Sequence, residues 1–246
     1  MQINTDGIVI KEMNIGETDR FVTILTRDRG VIKASARGSR RLKSPLSSAT
    51  QLFCFSRFCL YKGRELYIIN SADSISSFYH LRTDLIKLSL GQYFAELSAI
   101  LAPENEQADD YLRLLLNALH LLIKNDRPPE LIKAAFELRL LSMAGYMPDL
   151  SACRDCESLE GDILYLLTKS GHISCEACKP VSEPAVAINK GVLAACRHIV
   201  SSEFDRLFSF NLPPESIKIL NYATQSYLLT HLERIPQTLE FYNSLF

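Results

Sequence analysis

Phe21-Val22-Thr23-Ile24-Leu25-Thr26 and Val31-Ile32-Lys33-Ala34-Ser35-Ala36 are apolar, β-branched runs joined by Arg27-Asp28-Arg29-Gly30. Two such runs around a short turn that ends in glycine read as a β-hairpin. The next residues, Arg37-Gly38-Ser39-Arg40-Arg41-Leu42-Lys43-Ser44-Pro45, are small, charged and closed by proline, which reads as a loop. Upstream, Thr5 to Lys11 is a short apolar run after a turn signal. Downstream, Leu52 to Tyr61 and Leu66 to Ile69 flank Lys62-Gly63-Arg64-Glu65 and make a second hairpin. Five short strands in the first eighty residues, with no long helical period, predict a small closed barrel such as an OB-fold. An SH3-like barrel has the same strand count and stays open on this pattern alone.

Charge singles out the same region. From Arg29 to Arg64 there are nine basic residues and no Asp or Glu: Arg29, Lys33, Arg37, Arg40, Arg41, Lys43, Arg57, Lys62 and Arg64. The whole chain carries a formal charge of -1, and residues 1–80 hold 12 Lys/Arg against 7 Asp/Glu. The basic excess is therefore local, and a polyanion would meet this region first. The competing reading is a solvated basic face without a ligand. Phe53, Phe55, Phe58 and Tyr61 are interleaved with the basic residues. Strand alternation cannot send all four to one face, which makes Phe58 or Tyr61 a candidate for stacking on a base, against a barrel-core role for all of them.

Beyond Ser76 the period changes to helical. Leu81, Leu85, Leu88, Tyr93, Leu97, Ile100 and Leu101 predict one helix closed by Pro103, and Tyr111 to Ile123 a second. A third starts at Pro128-Pro129 and runs to Gly145. Ile188 to Val200 and Glu215 to Leu232 continue the pattern, and the apolar tail from Pro236 is expected to dock on the body. These stripes read as the core of a helical bundle.

Between the helical segments lie Cys153-Arg154-Asp155-Cys156 and Cys175-Glu176-Ala177-Cys178. Two C-x2-C knuckles at this separation match four-thiolate zinc sites, because each two-residue gap turns both sulfurs toward one tetrahedral ion. Disulfides, a redox pair and an iron–sulfur cluster are the alternatives. Four protein ligands leave zinc no open position, so its expected role is structural. His172, three residues before Cys175, could replace a thiolate but reads better as a surface residue. Cys54, Cys59 and Cys196 sit in apolar contexts and read as buried small hydrophobes.

No P-loop, dinucleotide turn, G-x-S-x-G or H-E-x-x-H occurs, and the five His residues are scattered, so a binding protein is expected rather than an enzyme. No run approaches the ~18 apolar residues of a membrane helix, and no basic-then-apolar leader is seen. Together with seven cysteines in a non-secretory pattern, this points to the cytoplasm.

The order of parts resembles the bacterial recombination-mediator family RecO. The resemblance rests on Gly7 to Lys11, Gly16-Glu17-Thr18-Asp19-Arg20, Leu25 to Gly30 and Ala36 to Ser44. It continues through Phe136-Glu137-Leu138-Arg139-Leu140-Leu141 and Gly145-Tyr146-Met147-Pro148-Asp149-Leu150 to Cys153. The segment after the last long helix, Leu232-Glu233-Arg234-Ile235-Pro236-Gln237-Thr238, departs from the basic run the family often has there. The resemblance implies an α+β multidomain protein. An OB-fold would span residues 1–78, a helical bundle 79–150 and 181–246, and an inserted four-cysteine zinc module 151–180. It implies binding of single- and double-stranded DNA, annealing of complementary strands, and loading of RecA, with RecR, onto strands coated by single-stranded-DNA-binding protein (SSB). SSB would dock through its C-terminal tail. The contact set is then Arg37, Arg40, Arg41 and Lys43 on a flexible loop, extended by Lys33, Arg57, Lys62 and Arg64. The alternatives are an RNA-binding OB/zinc-ribbon protein and a scaffold for an acidic protein partner.

Overall fold

The computed structural model describes residues 2–64, 66–159, 161–232 and 234–245. Contacts group the chain into two compact units, one up to residue 123 together with the residues from 238 on, the other 124–237.

The first unit begins with β1 (Gln2–Ile15), β2 (Asp19–Thr26), β3 (Gly30–Ala36), β4 (Cys54–Lys62) and β5 (Tyr67–Ser77). They close into a barrel in the order β1-β2-β3-β5-β4, with β4 returning to β1. Both expected hairpins form, β2 pairing β3 and β4 pairing β5 in antiparallel register. Glu65, in the second turn, lies outside the described residues. A short parallel contact between β3 and β5, Ala34 with Tyr67 and Ser35 with Ile68, closes the sheet. The helix α1 (Leu46–Ala49), which the sequence pattern did not announce, places Leu46 and Ala49 in the barrel core. They join Val9, Val22, Ile24, Ile32, Phe58, Leu60 and Ile69 there.

β1 is twice the length expected, because it serves two neighbours. Residues 2–8 pair with β4 and residues 7–15 with β2. A bulge between Val9 and Lys11 shifts the register. One extra residue reverses the in–out alternation of everything after it. Val9 faces the core, yet Lys11, Met13 and Ile15, of the same parity, are exposed.

Outside the barrel, Ile8, Ile10, Leu25 and Val31 are also buried. β1 packs against α2 (Leu85–Leu101), which follows a 3-10 turn at Tyr79–Thr83. Asp84 caps α2, its Oδ1 accepting the N–H groups of Ile86 and Lys87 at 2.9 and 3.1 Å. The turn of the β2–β3 hairpin is tied to the segment before α3 (Asp109–Lys124): Val31 N–H donates to Pro103 O and Asn105 N–H to Arg29 O, both at 2.9 Å. Arg27 Nε reaches Asp109 Oδ1 at 2.8 Å. Near the end of the chain, Thr238 at the start of the last helix donates from its N–H and hydroxyl to the Glu96 carboxylate.

The second unit holds α4 (Pro129–Met143) and the strands β6 (Asp149–Cys153), β7 (Ile163–Leu167), β8 (His172–Cys175) and β9 (Ala185–Asn189). It continues with α5 (Lys190–Ser201) and α6 (Pro214–His231), while α7 (Gln237–Asn243) belongs, from Thr238 on, to the first unit. Its sheet runs β6-β8-β7-β9 and so draws strands from both sides of the cysteine segment. Ile188 and Asn189, expected as helix, belong to β9 instead. Asn189 then caps α5, accepting the Val192 N–H at 2.9 Å.

Between α4 and α6 lies an ion pair with no exposure at either end, Lys133 Nζ to Glu137 Oε1 at 2.8 Å. Asn221 Oδ1 and Gln225 Oε1 also accept from the ammonium at 2.9 and 3.0 Å, and the Thr224 hydroxyl donates to Glu137 Oε2 at 2.8 Å. Removing one member strands the other charge in the interior, a cost of about 3–5 kcal/mol, whereas replacing both with apolar residues is often tolerated. Urea unfolding of Glu137→Leu should show a loss of that order. Lys133→Met/Glu137→Leu should regain much of it. A double variant as unstable as the single one would show that the packing, not the stranded charge, sets the penalty.

Candidate nucleic-acid interface and metal centre

The basic loop is held in place rather than flexible. Asp19, at the start of β2, accepts the Gly38 N–H at 2.8 Å and the Thr18 hydroxyl at 2.9 Å. The Gly38 amide, then Thr18 and the Arg41 and Arg37 charges hold the Asp19 carboxyl below the usual range. Gly38 has φ +65, a left-handed conformation that glycine takes without strain. Arg40 N–H donates to Thr18 O at 2.9 Å, and its Nη1 donates to Gly16 O at 3.0 Å. Ser39 is fully buried beneath the loop. The β1–β2 turn and the basic loop are therefore one stitched unit, with Arg37, Arg40, Arg41 and Lys43 all exposed on it.

Lys33 projects outward from the middle of β3. Lys62 and Arg64 are exposed at the β4–β5 turn, next to where β5 joins β3. Arg57 differs from the other seven. It lies across from Asp6 on β1 and Asp73 on β5, and its Nε binds Asp6 Oδ1 at 3.0 Å. Its charge is compensated locally.

Of the interleaved aromatics, Phe58 is fully buried in the barrel core and cannot reach a base. Phe53 is equally buried, with φ 64 and its N–H bound to Val9 O at 2.8 Å. Tyr61 is 54% exposed and is not core.

Antiparallel cross-strand partners share a face, and the register places two rows on the outside of β1, β2 and β3. One is Lys11, Thr23 and Lys33; the other is Met13, Phe21 and Ser35. The sequence reading missed that Lys11, in the row of Lys33, and Phe21, in the adjacent row, face outward. Only the bulge aims Lys11 outward, and an apolar alternation does not say which of its faces is covered.

In the second unit the four sulfurs of Cys153, Cys156, Cys175 and Cys178 all lie within 4.8 Å of one another. Metal–thiolate bonds of about 2.3 Å in a tetrahedron require sulfur–sulfur edges of about 3.8 Å, and Cys156 and Cys175 are 3.7 Å apart. Burial pushes the Cys153 thiol up, but the backbone N–H groups of Cys156, Cys175 and Asp155 outweigh it and lower it to about 6. Cys178, against the Cys175 and Cys156 thiols, is pushed up to about 12. Four thiolates this close ionise together only if a cation neutralises them. The donor set therefore suits a thiophilic metal. His172 is not among these ligands; its Nδ1 lies 2.9 Å from Ser170 O. Cys54 and Cys196 are buried as expected, whereas Cys59 is half-exposed, with Gln2 Nε2 donating to its sulfur at 2.7 Å.

The approach to the first knuckle has a physical account. Gly145 ends α4 at φ +95, and Tyr146 N–H returns to Leu141 O at 2.9 Å. The buried Tyr227 hydroxyl donates to Tyr146 O at 3.1 Å. Asp149 accepts from the Ser151 hydroxyl and N–H, and Arg197 donates to Leu150 O and Ser151 O at 2.7 and 2.8 Å. These bonds set the direction in which β6 delivers Cys153.

Comparison with known proteins matches residues 1–78 to the family described as Recombination protein O N terminal and residues 82–240 to Recombination protein O C terminal. A protein named DNA repair protein RecO from Acetivibrio thermocellus is 39% identical over 243 residues, covering 99% of this chain and 97% of that protein. One of the same name from Symbiobacterium thermophilum is 35% identical over 246 residues, covering 98% and 97%. A third, from Alkaliphilus metalliredigens, is 32% identical over 235 residues, covering 96% of each.

For the metal centre, elemental analysis of purified protein should find about one equivalent of bound metal per four-thiolate site. Cys175→Ser should drop it below half, and chelation should lower the unfolding midpoint. Full stability after chelation would remove the structural role.

Proposed function

Since the chain belongs to the RecO family of DNA repair proteins, we propose that it is a non-enzymatic recombination mediator whose barrel binds the DNA backbone. The barrel is read as an OB-fold. Five strands closing as β1-β2-β3-β5-β4, with a helix between β3 and β4 plugging the core, support that reading. The observation that carries the function is the stitched loop: Arg37, Arg40, Arg41 and Lys43 are exposed on a backbone held at Gly38 and Arg40. Guanidinium and ammonium groups on a fixed backbone meet phosphates with little ordering cost. Lys33, Lys62 and Arg64 extend the positive surface, and Arg57, held by Asp6, adds least.

Annealing follows from the same chemistry. One cationic surface screens two polyanions while leaving base edges free to pair. Single- and double-stranded DNA are both ligands on this reading, and RecR and the SSB C-terminal tail are the partners through which RecA is loaded. Four thiolate donors favour zinc, which when bound would cross-link the turns after β6 and β8 and leave no position for substrate. The cytoplasm suits a protein of seven free thiols. Among the described residues no helix is long and apolar enough to cross a membrane.

Binding to single-stranded DNA should weaken with salt at a slope of about -0.7 per phosphate contact. Changing Arg37, Arg40 and Arg41 together to Ala should flatten that slope by about 2 and weaken binding at every sequence. Wild-type slope and affinity in the triple variant would sink the reading. Annealing of SSB-coated strands should be lost in the same variant.

A further inference from the structure

The outer face of β1, β2 and β3 carries an apolar step inside a cationic frame. Met13 is 52% exposed and Phe21 36%, and they are direct cross-strand partners. The next row along the strands, about 7 Å away, is Lys11, Thr23 and Lys33, with both lysines exposed. On the opposite side, Asp19 ties the face to the loop of Arg37, Arg40 and Arg41. The carboxylates at that edge are Asp19, already bound by the Gly38 amide and Thr18, and Glu17 in the turn. Glu12 turns to the other side of β1, where its carboxylate lies 3.7 Å from Arg20 Nε. Phe58, next to Arg57 in sequence, is sealed in the core.

An exposed aromatic ring between two banks of cations suits one chemistry in particular: the phosphates of a strand held on either side while a base lies on the ring. A paired duplex hides its base faces, so the ring has a partner only in single strands. We propose that Phe21, flanked by Met13, is a base-stacking platform for single-stranded nucleic acid, and that Lys11 joins Lys33 as a phosphate contact beside it. This rests on the DNA-binding reading above and adds to it a source of single-strand preference that the basic residues alone do not supply. The bulge between Val9 and Lys11 makes the site, because without it Lys11 and Met13 would point into the barrel.

The chain contains no Trp, so Phe21→Trp introduces a sole indole on this face. Oligothymidylate should quench its emission, with affinity close to wild type. Phe21→Leu keeps an apolar side chain but no π-face, and should bind oligothymidylate about tenfold more weakly with an unchanged salt slope. Its duplex affinity and its melting by circular dichroism should match wild type. Lys11→Ala should lower the salt slope by about 0.7. If wild type binds oligothymidylate but Phe21→Leu binds it equally well, or the indole is not quenched, the platform is overturned while the backbone reading stands. An indole that responds to a protein partner and not to the oligonucleotide would also overturn it. Loss of binding in wild type itself would overturn both.

Discussion

The barrel depends on one strand satisfying two partners at once. β1 pairs with β4 through its first half and with β2 through its second, and this double pairing turns a curved sheet into a closed one. Gly7 and Ile8 are shared by both ladders, and a Cβ on Gly7 would come within 2.8 Å of Ile24 Cγ2 and of Leu25 O. Only glycine lets the strands approach that closely. Three residues later the bulge absorbs the bend and reverses the alternation. Closure also removes the exposed edges on which an open sheet would aggregate. One local irregularity thus satisfies the barrel core and sets the character of its outer surface.

The surface chemistry inherits this rigidity. Asp19 and Thr18 at the entry to β2 bind the backbone of the basic loop, so the loop's position follows from the register of the β1–β2 hairpin. Like-charged side chains repel one another, and a free loop would spread them into solvent. Anchoring Gly38 and Arg40 keeps four cations together at the end of the β1–β2–β3 face. Arg57 shows the converse: a basic residue within the same charge run, yet neutralised by its neighbour across the ladder.

The second unit is held by different means. Its strands are five residues or fewer, too short to form a large core of their own. Polar bonds do much of the positioning, with Lys133 and Glu137 specifying how α4 meets α6 and Arg139 donating to Ile199 O and Val200 O at the end of α5. A cation at a helix C-terminus meets the unpaired carbonyls there. The four sulfurs then add a cross-link that the apolar residues around them could not supply.

Much of this was legible along the chain because it is local. Hairpins around Arg27–Gly30 and Lys62–Arg64, the helix start at Pro129, and the two cysteine knuckles are each written within a few residues. Turn chemistry, periodicity and ligand spacing act over that range. Other features were invisible because they belong to pairs of distant residues. The outward turn of Lys11 depends on the register of β1 with β2, the neutralisation of Arg57 on β1 meeting β4, and the sealing of Phe58 on closure of the whole barrel. By itself the sequence determined the two hairpins of the barrel and most of the long helices, where the charge gathers and which four thiols share a site. Only the tertiary structure decided which of those charges and rings face solvent together, because strand register is set by partners far apart in the chain.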